Sequence, residues 1–140
     1  MAKLNAAQTF SAQQTLGAGA ALNDTDMLLR AGTDASHGIG WYGTGKTFEG
    51  IVMEGPVIYG YWGGALGSKN GGDSIALRWD ERRRVGIGTA TPQRTLHVKD
   101  VMRLEPRATA PTSPAEGDMY MDSATHKLKV YDGTTWQNCW

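Results

Sequence analysis

Glycine interrupts this chain too often for any long helix or long strand to form. Nineteen of its 140 residues are glycine, about twice ordinary usage. Each one inside a helix would cost about 1 kcal/mol relative to alanine, which argues against a long helical bundle. Short apolar runs lie between the glycines, and they predict strands over 27–30, 39–42, 48–53, 57–61, 74–79, 85–87 and 95–98. Gly55-Pro56, Gly63-Gly64 and Asn70-Gly71-Gly72 read as turns. The clearest alternation puts Ile75, Leu77 and Trp79 on one face and Ala76, Arg78 and Asp80 on the other. The expected class is all-β, built from short glycine-punctuated strands.

Composition divides the chain into four parts. Residues 1–25 are rich in Ala, Gln and Thr, and the triplet Gln8-Thr9-Phe10 returns six residues later as Gln14-Thr15-Leu16. This segment reads equally well as a repeat-like attachment or as a flexible tail. Residues 26–105 form the β-rich domain, ending in an apolar piece at 101–104. A linker at 106–117 contains RATAPTSPAEG, and its prolines and small residues mark a spacer. Residues 118–140 read as a C-terminal β-hairpin module, with strands at 119–121 and 127–131 and Asp132-Gly133 turning toward Trp136. Strands this short bury little apolar area alone, and association of several chains is the usual remedy.

The 14 basic and 14 acidic residues balance. Such a chain has no broad attraction for nucleic acid or an anionic membrane. Only Glu81-Arg82-Arg83-Arg84 concentrates charge, and it reads as a solvated turn. The single cysteine, Cys139, can form no intrachain disulfide and no cysteine-based zinc site. The N-terminus lacks an apolar signal-peptide core, and no run reaches membrane-spanning length. Synthesis in the cytoplasm without a signal peptide is expected, with no membrane insertion.

One stretch offers an apparent chemistry. Residues 40–47, GWYGTGKT, satisfy the phosphate-loop pattern through Gly40, Gly45, Lys46 and Thr47. That loop works only between a buried strand and a helix beginning at the lysine, whose amides face the phosphates. The residues before Gly40 are DASHGI, and FEGIVMEGP follows Thr47. Neither supplies the setting. Asp80 approximates a magnesium ligand poorly, because Arg78 breaks the apolar run before it. The match is read as chance, with no nucleotide bound.

His37, His97 and His126 lie far apart without metal-ligand spacing, and His37 reads as a structural hydrogen-bonding residue. There is no nucleophile elbow and no carboxylate pair in an apolar setting. The chain carries no catalytic signal and implies no cofactor or metal. Aromatic residues among glycines stand out instead: Trp41, Tyr42, Tyr59, Tyr61 and Trp62. Such rings can stack on sugars or anchor an interface. Because the chain is short of other large apolar residues, filling the core between associated chains is the favoured reading.

Three stretches carry a family resemblance. RVGIGTATPQRTLHV (84–98) resembles the V-G-I-G-T-x-x-P-x-x-x-L-H-V element of phage tail fibres and related surface proteins. HGIGWYGTGKTFEGIVMEGPVIYGYWGGALGSKNGGDSIALRWD (37–80) is similar to the segment that precedes it in such fibres. GDMYMDSATHKLKVYDGTTW (117–136) resembles the G-D-x-Y-x-D-x-x-x-x-x-L-x-x-Y-D-G-x-x-W module near the ends of many such chains. The resemblance implies a homotrimer of interleaved β-rich chains, located in a virion tail fibre or extracellular particle. Its implied function is structural and adhesive, presenting loops to a cell-surface glycan or protein receptor for host attachment. The implied partners are two further copies and, through residues 1–25, other fibre or tail proteins. An assembly or connector protein of a phage tail or contractile injection particle is the alternative. The self-cleaving chaperone that follows the G-I-G-T element in many fibres is not carried over. Three equivalent Cys139 thiols about a three-fold axis could not all pair, so the trimer implies a mainly free thiol.

Overall fold

The computed structural model describes residues 17, 19, 25–30 and 32–140, so the Gln-Thr repeat lies outside the described residues. Among the described residues there is no helix, and ten strands form three sheets. The chain is all-β. It forms two compact units, Met1–Gly64 with Trp79–Arg83, and Ala65–Arg78 with Arg84–Trp140.

In the first unit β1 (Met27–Leu28), β2 (Gly38–Tyr42) and β3 (Gly55–Tyr59) make an antiparallel sheet in that order. Its registers pair Met27 with Ile39 and Ile39 with Ile58. Two tight turns fill the interval between β2 and β3. Gly43 and Lys46 exchange both backbone hydrogen bonds, at 2.9 and 3.0 Å, around Thr44-Gly45. Phe48 and Ile51 do the same, at 3.0 Å each, around Glu49-Gly50. Glu49 (φ 53°) and Gly50 (φ 77°) are both left-handed, as the central pair of a type I′ turn must be. The strand expected over 48–53 is therefore a turn. The β-branched pair Ile51-Val52 follows this turn rather than extending a strand.

Strands β4 (Gly63–Ser68), β5 (Ser74–Asp80), β6 (Val85–Ile87) and β7 (Leu96–Val98) are hydrogen-bonded in that order. Gly55-Pro56, expected as a turn, starts β3, while Gly63 both closes the turn at 60–63 and starts β4. At Gly64 a Cβ would collide with the Trp79 ring, and at Gly63 with the Trp79 carbonyl. A neighbouring strand comes too close here for a side chain. Strand β5 is continuous over the expected alternation, but burial does not follow its faces. Asp80 is its buried residue, while Ile75 is exposed. The Asp80 carboxylate accepts from Arg82 N at 3.0 Å, and its carbonyl accepts from Arg83 N at 3.0 Å. It caps the turn at 81–83, where Arg83 takes φ 61°.

Strands β6 and β7 run parallel, with Val85 opposite Leu96 and Ile87 opposite Val98. Parallel neighbours ordinarily need a crossover of about a dozen residues or more. Here residues 88–95 suffice, because the loop folds onto its own strand. Pro92 is fully buried. Gly86 faces the loop so closely that a Cβ would sit 2.7 Å from Thr89 O and 2.9 Å from Thr89 Cγ2. Arg78 Nη1 braces the loop at Ala90 O, 2.6 Å away.

The C-terminal sheet is an antiparallel meander of β8 (Met119–Asp122), β9 (Lys127–Tyr131) and β10 (Trp136–Asn138). The expected hairpin thus gains a third strand. Tyr120 is buried and meets Trp136 edge-on, with ring centroids 4.7 Å apart, a pairing worth about 0.5–1.5 kcal/mol beyond burial. Asp122 caps the turn at 123–126. It accepts from Ala124 N at 2.9 Å and Thr125 Oγ1 at 2.8 Å, with Lys129 Nζ 3.6 Å away. The spacer is tied down near both ends: Arg107 N donates to Met121 O and Ser123 N to Arg107 O, while Gly117 N donates to Tyr131 O.

Candidate functional site

The apparent phosphate loop is a β-structure. Gly40 lies within β2, and Gly45 (φ 87°) is the second central residue of the 43–46 turn. Lys46 both donates and accepts backbone hydrogen bonds across that turn. No helix begins there, so no row of free amides faces outward at the lysine. Glu54 Oε1 occupies the turn's own donors, taking Thr44 N at 3.1 Å and Thr44 Oγ1 at 3.2 Å.

What these residues do build is a carboxylate latch. Side chains alternate across a strand, and the covered face of β2 carries Gly38, Gly40 and Tyr42. The two glycines leave a trough beside Tyr59, the cross-strand partner of Gly38. Asp26, just ahead of β1, drops its carboxylate into the trough. A Cβ on Gly40 would overlap that carboxylate, and one on Gly38 would lie 2.5 Å from the Tyr59 hydroxyl. Tyr59 and Tyr42 donate their hydroxyls to Asp26 Oδ2 at 2.6 and 3.0 Å. Lys46 Nζ bonds to Oδ1 and lies 4.6 Å from the Tyr42 ring centroid. Phe48 closes the cluster, edge-on to Tyr42 with centroids 5.1 Å apart.

The electrostatics follow from these contacts. The Lys46 hydrogen bond, then that from Tyr59, hold the Asp26 carboxyl below its ordinary value. The Asp26 bond and loss of solvent raise Tyr59, while Tyr42 is raised first by desolvation and then by Asp26. Asp26 is thus a saturated anion, and both phenols stay protonated. The cluster ties the chain before β1 to β2, β3 and the 43–46 turn.

The five singled-out aromatics fall into three places. Tyr42 and Tyr59 belong to the latch, half-buried. Trp41 points to the opposite face of β2 and is exposed. Tyr61 and Trp62 are the central residues of the turn closed by Gly63 N to Gly60 O at 3.0 Å. They are 62% and 66% exposed and pack edge-on, with centroids 4.8 Å apart. A Cβ on Gly60 would strike Gly63 O, and Gly63 takes φ 99°, so both flanking glycines are required for this display. His37 Nδ1 donates to Asp34 at 3.0 Å, a contact that lowers the Asp34 pKa. Cys139 is an exposed free thiol.

Asp26, Phe48 and Glu54 were not singled out by sequence. The usable signal was the glycine pair at 38 and 40, which marks a face left empty for something to enter. Comparison with protein-family models gives no match, and comparison with curated proteins gives none either.

Proposed function

We propose that this chain is a structural and adhesive subunit of a homotrimeric, tail-fibre-like assembly that presents loops to a cell-surface receptor. The observation that carries this reading is the shortage of a core. Among the described residues, Tyr120 is the buried hydrophobic side chain and Pro92 the fully buried one, while nineteen large hydrophobics are exposed. A folded chain that leaves so much apolar surface in water calls for partners to cover it. The G-I-G-T element and the C-terminal module, with their resemblance to tail fibres, favour copies of the same chain about a three-fold axis.

Under this reading the protein belongs to a virion tail fibre or extracellular particle and is not an enzyme. The Tyr61-Trp62 turn is the part offered to a receptor, since two rings at a glycine-flanked tip can stack on a sugar. Sedimentation of the full chain at micromolar concentration tests the assembly, with three times the chain mass expected. A well-folded monomer overturns it. Binding on a glycan array, lost in Trp62→Ala with the trimer intact, supports adhesion. An intact trimer silent across a broad array favours an assembly or connector role.

A further inference from the structure

Asn70 stands directly before Gly71 in the connection from β4 to β5, residues 69–73. An asparagine so placed can react with its own backbone. Its side-chain carbonyl carbon is one five-membered ring closure away from the nitrogen of the next residue. Glycine offers that nitrogen with no Cβ to obstruct the approach. The structure leaves both reacting groups unengaged. Neither the Gly71 amide nor the Asn70 side chain has a hydrogen-bond partner among the described residues. Both residues are exposed, and a Cβ built on Gly71 would meet nothing within 4 Å. The bonds that hold the turn leave this pair alone. Asn70 N donates to Ser68 Oγ at 3.2 Å, and Gly72 N reaches Lys69 O at 3.5 Å. A tip held this loosely, in water, gives the side chain room to turn toward the amide.

Two comparable sites in the same unit are held shut. Asn138 precedes Cys139, whose backbone N donates to Leu128 O at 2.9 Å, so that nitrogen is committed to the sheet. Asp132 precedes Gly133, but its carboxylate is fully engaged. Oδ1 accepts from Thr134 N, Thr134 Oγ1 and Thr135 N at 2.7–2.9 Å, and Oδ2 accepts from Gln137 Nε2 at 2.8 Å. Turning that carboxyl toward Gly133 N would break these bonds. We propose that Asn70 is a site of spontaneous modification, deamidating through a succinimide formed with Gly71. Gly71 N loses its proton and bonds to Asn70 Cγ. The Cγ–Nδ2 bond breaks, and the nitrogen leaves with that proton as ammonia. One water then opens the ring. Attack at Cγ leaves aspartate, and attack at the backbone carbonyl leaves isoaspartate, in which the chain runs through the former side chain. Either product sets a new carboxylate near Asp73 and the Lys69 ammonium that pairs with it. The balanced charge of the chain becomes net negative. This inference stands on the fold of one unit and is independent of the adhesive reading above.

Incubation of the folded full chain in heavy-oxygen water tests the assignment, followed by tryptic digestion in ordinary water and mass spectrometry. The peptide of residues 70–78 is expected to gain one heavy oxygen as it loses its amide. It should split into two products, one of them a substrate for an isoaspartyl methyltransferase. The contribution of the structure is read as the rate at each site in the folded chain against its rate in urea. Asn70 should react within about three-fold of its urea rate, and Asn138 should be slowed by about ten-fold or more. Gly71→Ala should slow the reaction at Asn70 by about ten-fold. Asn70→Gln should abolish the product and leave the denaturation midpoint unchanged. If folding slows Asn70 as much as Asn138, the turn protects it and the proposal fails. Product without the heavy oxygen, or undiminished in Gly71→Ala, overturns the succinimide route.

Discussion

Gly40 has no side chain, and the Asp26 carboxylate occupies the space that a methyl group would need. Gly40→Ala is expected to expel Asp26 and destabilise the first unit by about 1–3 kcal/mol, read as a lower denaturation midpoint. The carboxylate itself carries a pH signature. Its folded pKa lies below the ordinary 3.8, so its contribution is fully present above that value and disappears as pH falls through the folded value. Asp34, Asp122 and Asp132 are depressed too, so the wild type loses stability in acid from several sources. Comparison with Asp26→Asn isolates one of them. The variant should be less stable by about 1–2 kcal/mol near neutrality, and the gap should close as pH falls from the ordinary value through the depressed folded one. A gap that stays constant with pH would remove Asp26 from the account. The sequence of this site was legible in a misleading way. GWYGTGKT advertised a phosphate loop through Gly40 and Lys46, yet both residues serve a carboxylate fourteen or more positions upstream, which no local pattern points to.

Among the elements, two short strands bounded by turn residues could be read directly. The expected strand at 85–87 matches β6, and the one at 127–131 matches β9. One kind of failure came where glycine was taken only as a turn residue although it also allows close packing. Strand β4 begins with Gly63-Gly64 because Trp79 lies across it, and that need is visible only once β5 is in place. The 48–51 turn failed in the opposite sense. Phe48 and Ile51 look like strand residues, but Glu49-Gly50 reverses the chain between them. Gly86 gives the element-scale prediction. Its closest neighbour is the backbone carbonyl of Thr89, which cannot swing aside as a flexible side chain would. Gly86→Ala should cost about 1–3 kcal/mol and speed hydrogen exchange at Val85 and Lys99, whose amides bond to Thr95 O and Ile87 O. Unchanged protection there would show that the loop adapts.

For the whole molecule, a thin core was legible in the sequence, but not where it would be thin. The alternation in GIGWY (Gly38–Tyr42) places Ile39 and Trp41 on one side, and a reader would assign that side to the interior. The chain does the reverse, because the glycine side is needed for Asp26. The brevity of the β6–β7 connection has a further consequence, in the order of events during folding. Parallel pairing is ordinarily slow, since a long loop must close before any contact repays its entropy. Here Val85 meets Leu96 across a loop that closes on a timescale of roughly 10–100 ns. Every strand pair joins neighbours along the chain, and Gly38 and Tyr59 are only 21 positions apart. One chain can therefore acquire all its strands through near neighbours along the chain, before the association proposed above. Refolding should show a fast phase independent of concentration, then a slower one whose rate rises with protein concentration. A single concentration-independent phase would mean that the strands need no partner to settle.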